Sequence, residues 1–338
     1  MPTATPSLWS RARQWLSQLF RREPAPGRFV TGAAGTWRGF LAAAPLVWPR
    51  REYLLYLPRG YSRWHRAPLL VFCHGCKQTP EEFAQGNRVT ELADTRGALV
   101  LLPRQKERAN PWRCWNWFDT ATARGGGEAA IVAAMIRKVS RWRRIDAARV
   151  IVAGMSAGGA LAAVMGVRHP DLVRGVVVHS GVACGAAASP LTALGVMQRG
   201  PEQDVETPAS EVRAATPPAS LPVPLLAIHG DRDTVVASRN ATATLRQYLR
   251  LNGHPAVANA MIPATVLPDA DATRTVQDGG RSAVVREWRV DGRLVARYVL
   301  VSGLAHAWSG GDPSLPFNDA EGPSATALVG DFLRDFLP

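Results

Sequence analysis

Residues 149–159 read Arg-Val-Ile-Val-Ala-Gly-Met-Ser-Ala-Gly-Gly, and this stretch decides the class of fold. Residues 150–153 form a short apolar run typical of a buried strand, and the alanine-rich residues after Ser156 predict a helix. Gly154 and Gly158 flank the serine, which indicates a sharp strand–turn–helix with no room for neighbouring Cβ atoms. The hydroxyl of Ser156 would then lie at the N-terminus of a helix, where backbone N–H groups favour developing negative charge.

A serine hydroxyl is a weak nucleophile until a base removes its proton. After a strand–turn–helix of this kind, the acid and then the histidine are expected further along the chain. Residues 225–229 predict a buried strand, and Asp231 and Asp233 follow it. We favour Asp233 as the acid because it stands three residues after Gly230 and two before Val235, and Asp231 is the alternative.

The order of residues along the chain limits which histidine can serve as the base. Of the seven histidines, only His254 and His306 follow Asp233. His254 lies in Asn-Gly-His-Pro, a turn typical of the surface. His306 follows the predicted strand 295–301, so it would lie on a loop at the carboxyl edge of the sheet. The residues therefore predict a triad of Ser156, Asp233 and His306.

An ester hydrolase of this type also needs N–H donors for the oxyanion. The N–H of Ala157, directly after the serine, is one candidate. The second donor should come from the loop after the predicted strand 69–73, which reads His74-Gly75-Cys76. We expect the N–H of Cys76 to serve there.

Strands alternate with helices along the chain, which predicts an α/β fold with a mostly parallel central sheet, flanked by helices, in a single domain. Residues 182–222, rich in Ala, Pro, Gly and Thr, interrupt this alternation of strands and helices and predict a lid or a flexible insertion. Asp291 and Gly292 predict a hairpin turn. The predicted strands are 53–57, 69–73, 98–102, 150–153, 175–179, 225–229 and 295–301, and the predicted helices are 81–95, 128–142, 157–168, 238–251 and 324–337.

Composition excludes several classes of protein. The 338 residues are 46% hydrophobic and 20% charged, which excludes global disorder and a coiled coil. The apolar runs are too short to cross a bilayer. The net charge is +13 from 40 basic and 27 acidic residues. The arginines are scattered and no nucleic-acid motif is present, so no nucleic-acid partner is expected.

The N-terminal segment, residues 1–28, predicts a basic amphipathic extension in front of a catalytic domain at 29–338. Apolar side chains recur at helical spacing, with arginines between them. We expect residues 7–22 to bind a membrane or an apolar granule surface. The segment lacks the uninterrupted apolar core of a standard secretory signal, so a cytoplasmic or granule-associated location is expected.

Five motifs complete the pattern: residues 74–79 (HGCKQT), 114–118 (CWNWF), 154–159 (GMSAGG), 179–181 (HSG) and 303–311 (GLAHAWSGG). Together they resemble short-chain poly(3-hydroxyalkanoate) depolymerases, esterases of the α/β-hydrolase fold related to feruloyl and acetylxylan esterases. The resemblance implies a serine esterase that cleaves poly- or oligo(3-hydroxyalkanoate) through an acyl-enzyme, with no metal or organic cofactor. Feruloyl, acetyl-sugar or small-lipid esters are the alternative substrates, and acyl transfer to an alcohol is a further alternative.

The resemblance also implies roles for aromatic and cysteine residues. Indole rings would border the acyl or polymer site, with Trp115, Trp117 and Trp308 as the candidates; core packing is the alternative for the first two. It further implies that Cys76 and Cys114 form a disulfide that joins the oxyanion loop to the aromatic loop. The residues alone leave this pairing open.

Overall fold

A computed structural model of the chain describes residues 24–36, 50–258 and 266–336. The strands are β1 (Arg28–Gly35), β2 (Arg50–Leu57), β3 (Ala67–Cys73), β4 (Leu99–Pro103), β5 (Ile145–Met155), β6 (Gly175–His179), β7 (Leu225–Gly230), β8 (Ala272–Asp278), β9 (Arg281–Val290), β10 (Arg293–Val301), β11 (Trp308–Ser309) and β12 (Asn318–Asp319). The helices are α1 (Pro80–Gly86), α2 (Val89–Arg96), α3 (Thr120–Ala123), α4 (Gly127–Arg143), α5 (Ala157–Arg168), α6 (Pro190–Arg199), α7 (Thr207–Ala215), α8 (Arg239–Asn252) and α9 (Ala325–Phe336), with single 3₁₀ turns at Pro218–Ser220 and Pro255–Val257.

Strands β1 to β10 form one sheet in the order β1-β2-β4-β3-β5-β6-β7-β10-β9-β8. The neighbours from β4 to β10 are parallel, and two antiparallel strands extend the sheet at each side. Parallel strands need crossover connections, and helices supply most of them here. The predicted mostly parallel sheet is confirmed.

The sheet is buried on both faces. Along β3, Leu69 and Val71 contact one apolar layer, whereas Leu70 and Phe72 contact the other, and all four are fully buried. Helices α4, α5 and α8 cover the first face, and α1, α2 and α9 cover the second. Burial on both faces explains why the central strands are continuous apolar runs without alternation.

Two local predictions have different outcomes. The hairpin at Asp291 and Gly292 is confirmed, because both residues have positive φ, as a tight turn between twisted strands requires. The predicted helix 81–95 is instead two helices, α1 and α2. Tertiary contacts stabilise the break, since the carbonyl of Gly86 accepts from the N–H of Asp312 and that of Asn87 accepts from Thr326 Oγ1.

Residues 182–222 contain α6 and α7 and pack against α8. The carboxylate of Glu206 accepts from Arg246 at 2.6 Å and from Arg250 at 3.2 Å. Gln247 bonds both the N–H and the carbonyl of Cys184. These contacts make the segment part of the domain; its role as a lid stays a prediction.

The predicted N-terminal extension lies mainly outside the described residues, which begin at Pro24, and Arg28 already opens β1. No helix among the described residues combines the length and the apolar character that crossing a bilayer requires.

Gly158 provides a test of the packing between α5 and β3. A Cβ atom there would lie 2.0 Å from the carbonyl oxygen of Cys73. We expect Gly158→Ala to lower the free energy of unfolding by about 2 kcal/mol or more, measured by urea denaturation. Gly195→Ala in α6 is the matched control, because its Cβ meets only the flexible end of Arg199 and alanine favours helix. Equal effects of the two substitutions would contradict the close contact.

Candidate active site

Ser156 occupies the sharp turn between β5 and α5. Its backbone has φ 56° and ψ −123°, a conformation that an L-residue adopts only when its surroundings hold it. Its N–H donates to the carbonyl of His179 at 2.9 Å. A Cβ on Gly154 would lie 2.3 Å from the backbone of Gly158, so only glycines allow strand and helix to meet this closely. The predicted strand–turn–helix is confirmed.

Asp233 and His306 meet at the same edge of the sheet, because β7 and β10 are parallel neighbours. His306 Nδ1 lies 2.7 Å from Asp233 Oδ2. The other carboxylate oxygen accepts the N–H groups of Val235 and Val236 at 2.9 and 2.8 Å. With its side chain fully enclosed, Asp233 presents one oxygen to the imidazole and anchors the other to the main chain.

The alternatives to this pair have other partners. Asp231 accepts the N–H of Gly303 at 2.7 Å and so joins the two loops. His254 contacts Asp271 at 3.3 Å, beside the 3₁₀ turn after α8, and it is buried, so its predicted surface position is wrong. The geometry therefore pairs His306 with Asp233, whereas Asp231 and His254 have other partners.

Electrostatics favour an ionised carboxylate at this position. Burial works to raise the pKa of Asp233, but the hydrogen bond and charge of His306 and the N–H of Val236 outweigh it, so the pKa lies below its ordinary value. His229 Nε2 lies 3.5 Å from Asp233 Oδ2, the oxygen that contacts His306, but its N–H donates to the carbonyl of Val236. Burial lowers the pKa of His229. An ionised Asp233 fixes a proton on Nδ1 of His306, which leaves Nε2 as the free basic atom.

The predicted oxyanion loop lies beside the serine. A Cβ built on Gly75 would lie 3.6 Å from the Cβ of Ser156. The N–H of Gly75 donates to Gln78 Oε1 at 2.9 Å, which holds the loop. Among the hydrogen bonds of the described residues, neither the N–H of Cys76 nor that of Ala157 has an acceptor. Both donors are thus available, and their role stays a prediction.

Cys76 and Cys114 form a disulfide, as the resemblance implies. The bond links the predicted oxyanion loop to the loop between β4 and α3. Cys73 remains a free buried thiol, and burial raises its pKa to about 12. Cys73 and Cys76 therefore do not form a redox pair with each other.

Behind this loop lies a buried polar network that the sequence analysis does not predict. His74 is buried, and its Nδ1–H donates to the carbonyl of Gly75 at 2.7 Å. Its Nε2 accepts the N–H of Gln105 at 3.2 Å, and burial lowers its pKa to about 4, so the ring is neutral. The Gln105 side chain then donates to the carbonyl of Cys114 at 2.9 Å and to Glu128 at 2.5 Å.

Glu128 is the acidic centre of this network. Its carboxylate also accepts the N–H of Asn116 at 2.7 Å, and Arg51 lies 3.7 Å away. Burial raises its pKa, against the hydrogen bonds of Gln105 and Asn116 that lower it. In the sequence Glu128 is an ordinary acidic residue in the first turn of a helix, so no local signal marks it.

Two of the three tryptophans differ from the expected contact with substrate. Trp115 and Trp308 are fully buried, and Trp117 is 5% exposed. Trp115 donates to the carbonyl of His74 at 3.0 Å, and Trp308 stacks on His179 with ring centroids 5.0 Å apart. The expectation that Trp115 and Trp308 contact substrate is therefore wrong, because protein atoms already cover both indoles. They support the loops that carry the site, and the almost buried Trp117 packs against Phe118.

We expect Glu128→Gln to lower kcat for a soluble ester about tenfold or more with little change in KM, because a small shift of the oxyanion loop weakens transition-state contacts. Steady-state kinetics measure both constants. Glu91→Gln on the exposed side of α2 is the control. A lower melting temperature with unchanged kcat would assign Glu128 to stability alone.

Among solved structures, the acetyl xylan esterase from Aspergillus awamori superposes with a TM-score of 0.60 at 19% sequence identity. The match covers 76% of this chain and 89% of that one. Likeness at this identity concerns the fold, and it confirms the predicted α/β-hydrolase fold.

Sequence relatives are esterases. Poly(3-hydroxyalkanoate) depolymerase C of Paucimonas lemoignei is 30% identical over 229 residues, 66% of this chain and 55% of that protein. The chain thus spans just over half the length of this relative. Probable acetylxylan esterase A of Aspergillus flavus is 28% identical, over 65% of this chain and 73% of that protein. Feruloyl esterase B of Neurospora crassa is 31% identical, over 55% of this chain and 65% of that protein.

The family model described as esterase PHB depolymerase matches residues 51–266, more than half of the chain. This span includes Ser156 and Asp233, whereas His306 lies beyond it and is assigned by its contact with Asp233. The chain belongs to the esterase PHB depolymerase family.

Proposed function

We propose that the protein hydrolyses carboxylic esters with Ser156 as nucleophile, His306 as base and Asp233 as the acid that orients it. The 2.7 Å contact between His306 and Asp233 carries the proposal. It lies at the carboxyl edge of adjacent parallel strands β5, β6, β7 and β10, where the strained serine turn also lies. Family membership supports the same chemistry.

The reaction follows from these positions. Ser156 Oγ attacks the ester carbonyl while Nε2 of His306 takes its proton, and the N–H groups of Cys76 and Ala157 bind the oxyanion. The proton then passes to the departing alcohol, which leaves an acyl-enzyme. Water, deprotonated by His306, attacks the acyl group, and the carboxylic acid leaves as Ser156 regains its proton. Asp233 stabilises the imidazolium at both stages.

For the substrate we propose poly- or oligo(3-hydroxyalkanoate), as in the name of the Paucimonas relative. Exposed apolar side chains beside the acid loop support an apolar ester: Leu191 is 81% exposed, Leu194 59% and Val235 43%. Helix α6 carries the two leucines, and its Met197 carbonyl accepts the N–H of Ala237 just beyond Asp233. An alkanoate chain offers few hydrogen-bonding groups, so apolar surface suits it.

The acetylxylan and feruloyl esterase relatives favour a second candidate, hydrolysis of acetyl-sugar or feruloyl esters, with small-lipid esters as a further case. Acyl transfer to an alcohol uses the same acyl-enzyme and is distinguished by product analysis with added alcohols.

Ser156→Ala tests the nucleophile and the substrate together. We expect kcat for p-nitrophenyl butyrate to fall at least about a thousandfold with unchanged circular dichroism. A suspension of poly(3-hydroxybutyrate) should release soluble products with the wild type only. Cleavage of the soluble ester alone would support the proposed triad but would favour small esters over the polyester as the substrate. Near-wild-type activity of the variant would remove Ser156 from its role.

We also propose that residues 7–22 hold the enzyme on an apolar granule or a membrane surface. The basic amphipathic pattern supports this proposal. The Cys76–Cys114 disulfide counts against a reducing compartment.

Deletion of residues 1–28 should weaken sedimentation with polyester particles or anionic vesicles, because it removes the apolar stripe and its arginines. It removes no proposed catalytic group, so hydrolysis of p-nitrophenyl butyrate should persist. Unchanged sedimentation would refute the binding role of this segment.

A further inference from the structure

Two similar segments of the chain remain without a role in the chemistry. Residues 63–66 read Arg-Trp-His-Arg, and residues 141–144 read Arg-Trp-Arg-Arg. Both carry an indole that the fold leaves in solvent: Trp64 is 68% exposed and Trp142 is 71% exposed. Large exposed aromatic side chains amid arginines are typical of an interaction surface.

The fold brings the two segments together, although more than seventy residues separate them. Tyr61 Oη donates to the carbonyl of Arg143 at 3.2 Å, and the N–H of Ala67 donates to the carbonyl of Arg144 at 3.3 Å. Ala67 and Ile145, the first residues of β3 and β5, are paired in the sheet. Residues 63–66 and 141–144 thus form one surface, which we call the basic edge.

The basic edge carries unneutralised charge. It holds five arginines, and none of them has a carboxylate partner within salt-bridge distance among the residues that the structure describes. Asp146, the acidic group beside it, is paired with Arg149 at 2.7 Å and interacts with Arg66 only beyond salt-bridge distance. The guanidinium of Arg63 lies 4.8 Å above the ring of Trp64. An anionic partner would supply the missing counter-charge.

We propose that the basic edge binds the surface of an anionic phospholipid membrane. Indole rings prefer the headgroup level of a bilayer, where an apolar ring and a polar N–H are both accommodated. Each arginine near an anionic membrane surface strengthens binding by about fivefold. A nucleic acid would need open indole faces for stacking, and Arg63 covers one face of Trp64.

The position of the N-terminus supports the same partner. The N–H of Gly60, in the loop that leads to the basic edge, donates to the carbonyl of Ala25 at 2.9 Å. The basic segment 1–23 therefore joins the domain beside this edge. The arginines of segment 1–23 repel the arginines of the basic edge, so this segment is not expected to pack on the edge. A single anionic surface would attract both the segment and the edge.

Binding here would leave the proposed catalytic residues accessible. Strand β5 begins at Ile145, beside the basic edge, and ends at Met155, beside Ser156. The partner strand β3, which runs from Ala67 opposite Ile145 to Cys73 opposite Gly154, sets this separation at roughly 20 Å. A membrane-bound molecule would thus present Ser156 away from the lipid.

Sedimentation of the full chain with vesicles tests the proposal, with phosphatidylcholine plus phosphatidylserine compared with phosphatidylcholine alone. We expect the double variants Trp64→Ala/Trp142→Ala and Arg63→Gln/Arg141→Gln to bind the anionic vesicles at least about tenfold more weakly. The matched control is Arg108→Gln/Trp112→Ala, an exposed arginine and an exposed indole in the loop after β4, at the opposite edge. Its vesicle binding should equal that of the wild type.

Hydrolysis of p-nitrophenyl butyrate by both basic-edge variants should equal that of the wild type, which shows that they fold and separates this test from that of the esterase. Wild-type binding by both variants would overturn the proposal, and so would an equal loss in the control. Loss of binding to a short DNA duplex with retained vesicle binding would also overturn it, in favour of a nucleic-acid surface.

Discussion

The contact between the N-terminus of α5 and the end of β3 is the constraint on which the proposed site depends. Gly158 lies so close to the carbonyl of Cys73 that no side chain fits between them. This closeness forces the chain to turn sharply at Ser156, and it brings Gly75 against the same serine. One packing contact thus places the candidate nucleophile and both candidate oxyanion donors together.

The second half of the site depends on the pairing of β7 with β10. The loops after these strands are joined by main-chain hydrogen bonds, from Asp231 N–H to Val301 and from Arg232 N–H to Leu304. Because these bonds hold the loops in one arrangement, Asp233 reaches His306 without large freedom in either side chain. Asp231, the alternative acid in the sequence, strengthens this junction because its carboxylate accepts the N–H of Gly303.

The two ends of the sheet have different chemistry. At the carboxyl end, the loops hold neutral buried groups such as His74, a carboxylate beside His306, and apolar side chains in solvent. At the amino end, the basic edge offers arginines and two indoles. A parallel sheet separates the ends by the length of its strands, so an ester and a charged surface could be bound at once without competition.

From the sequence alone, the residues around Ser156 and the alternation of strands and helices determine an α/β fold and indicate a serine as the candidate nucleophile, because these signals are local to a few neighbouring positions. Chain order also selected His306 over His254. Only the tertiary structure decided that Asp233 and not Asp231 contacts His306, that Trp308 is covered by protein, and that Glu128 lies in the polar network behind the predicted oxyanion loop. Such outcomes depend on burial and on contacts between distant segments, and neither leaves a local pattern in the chain.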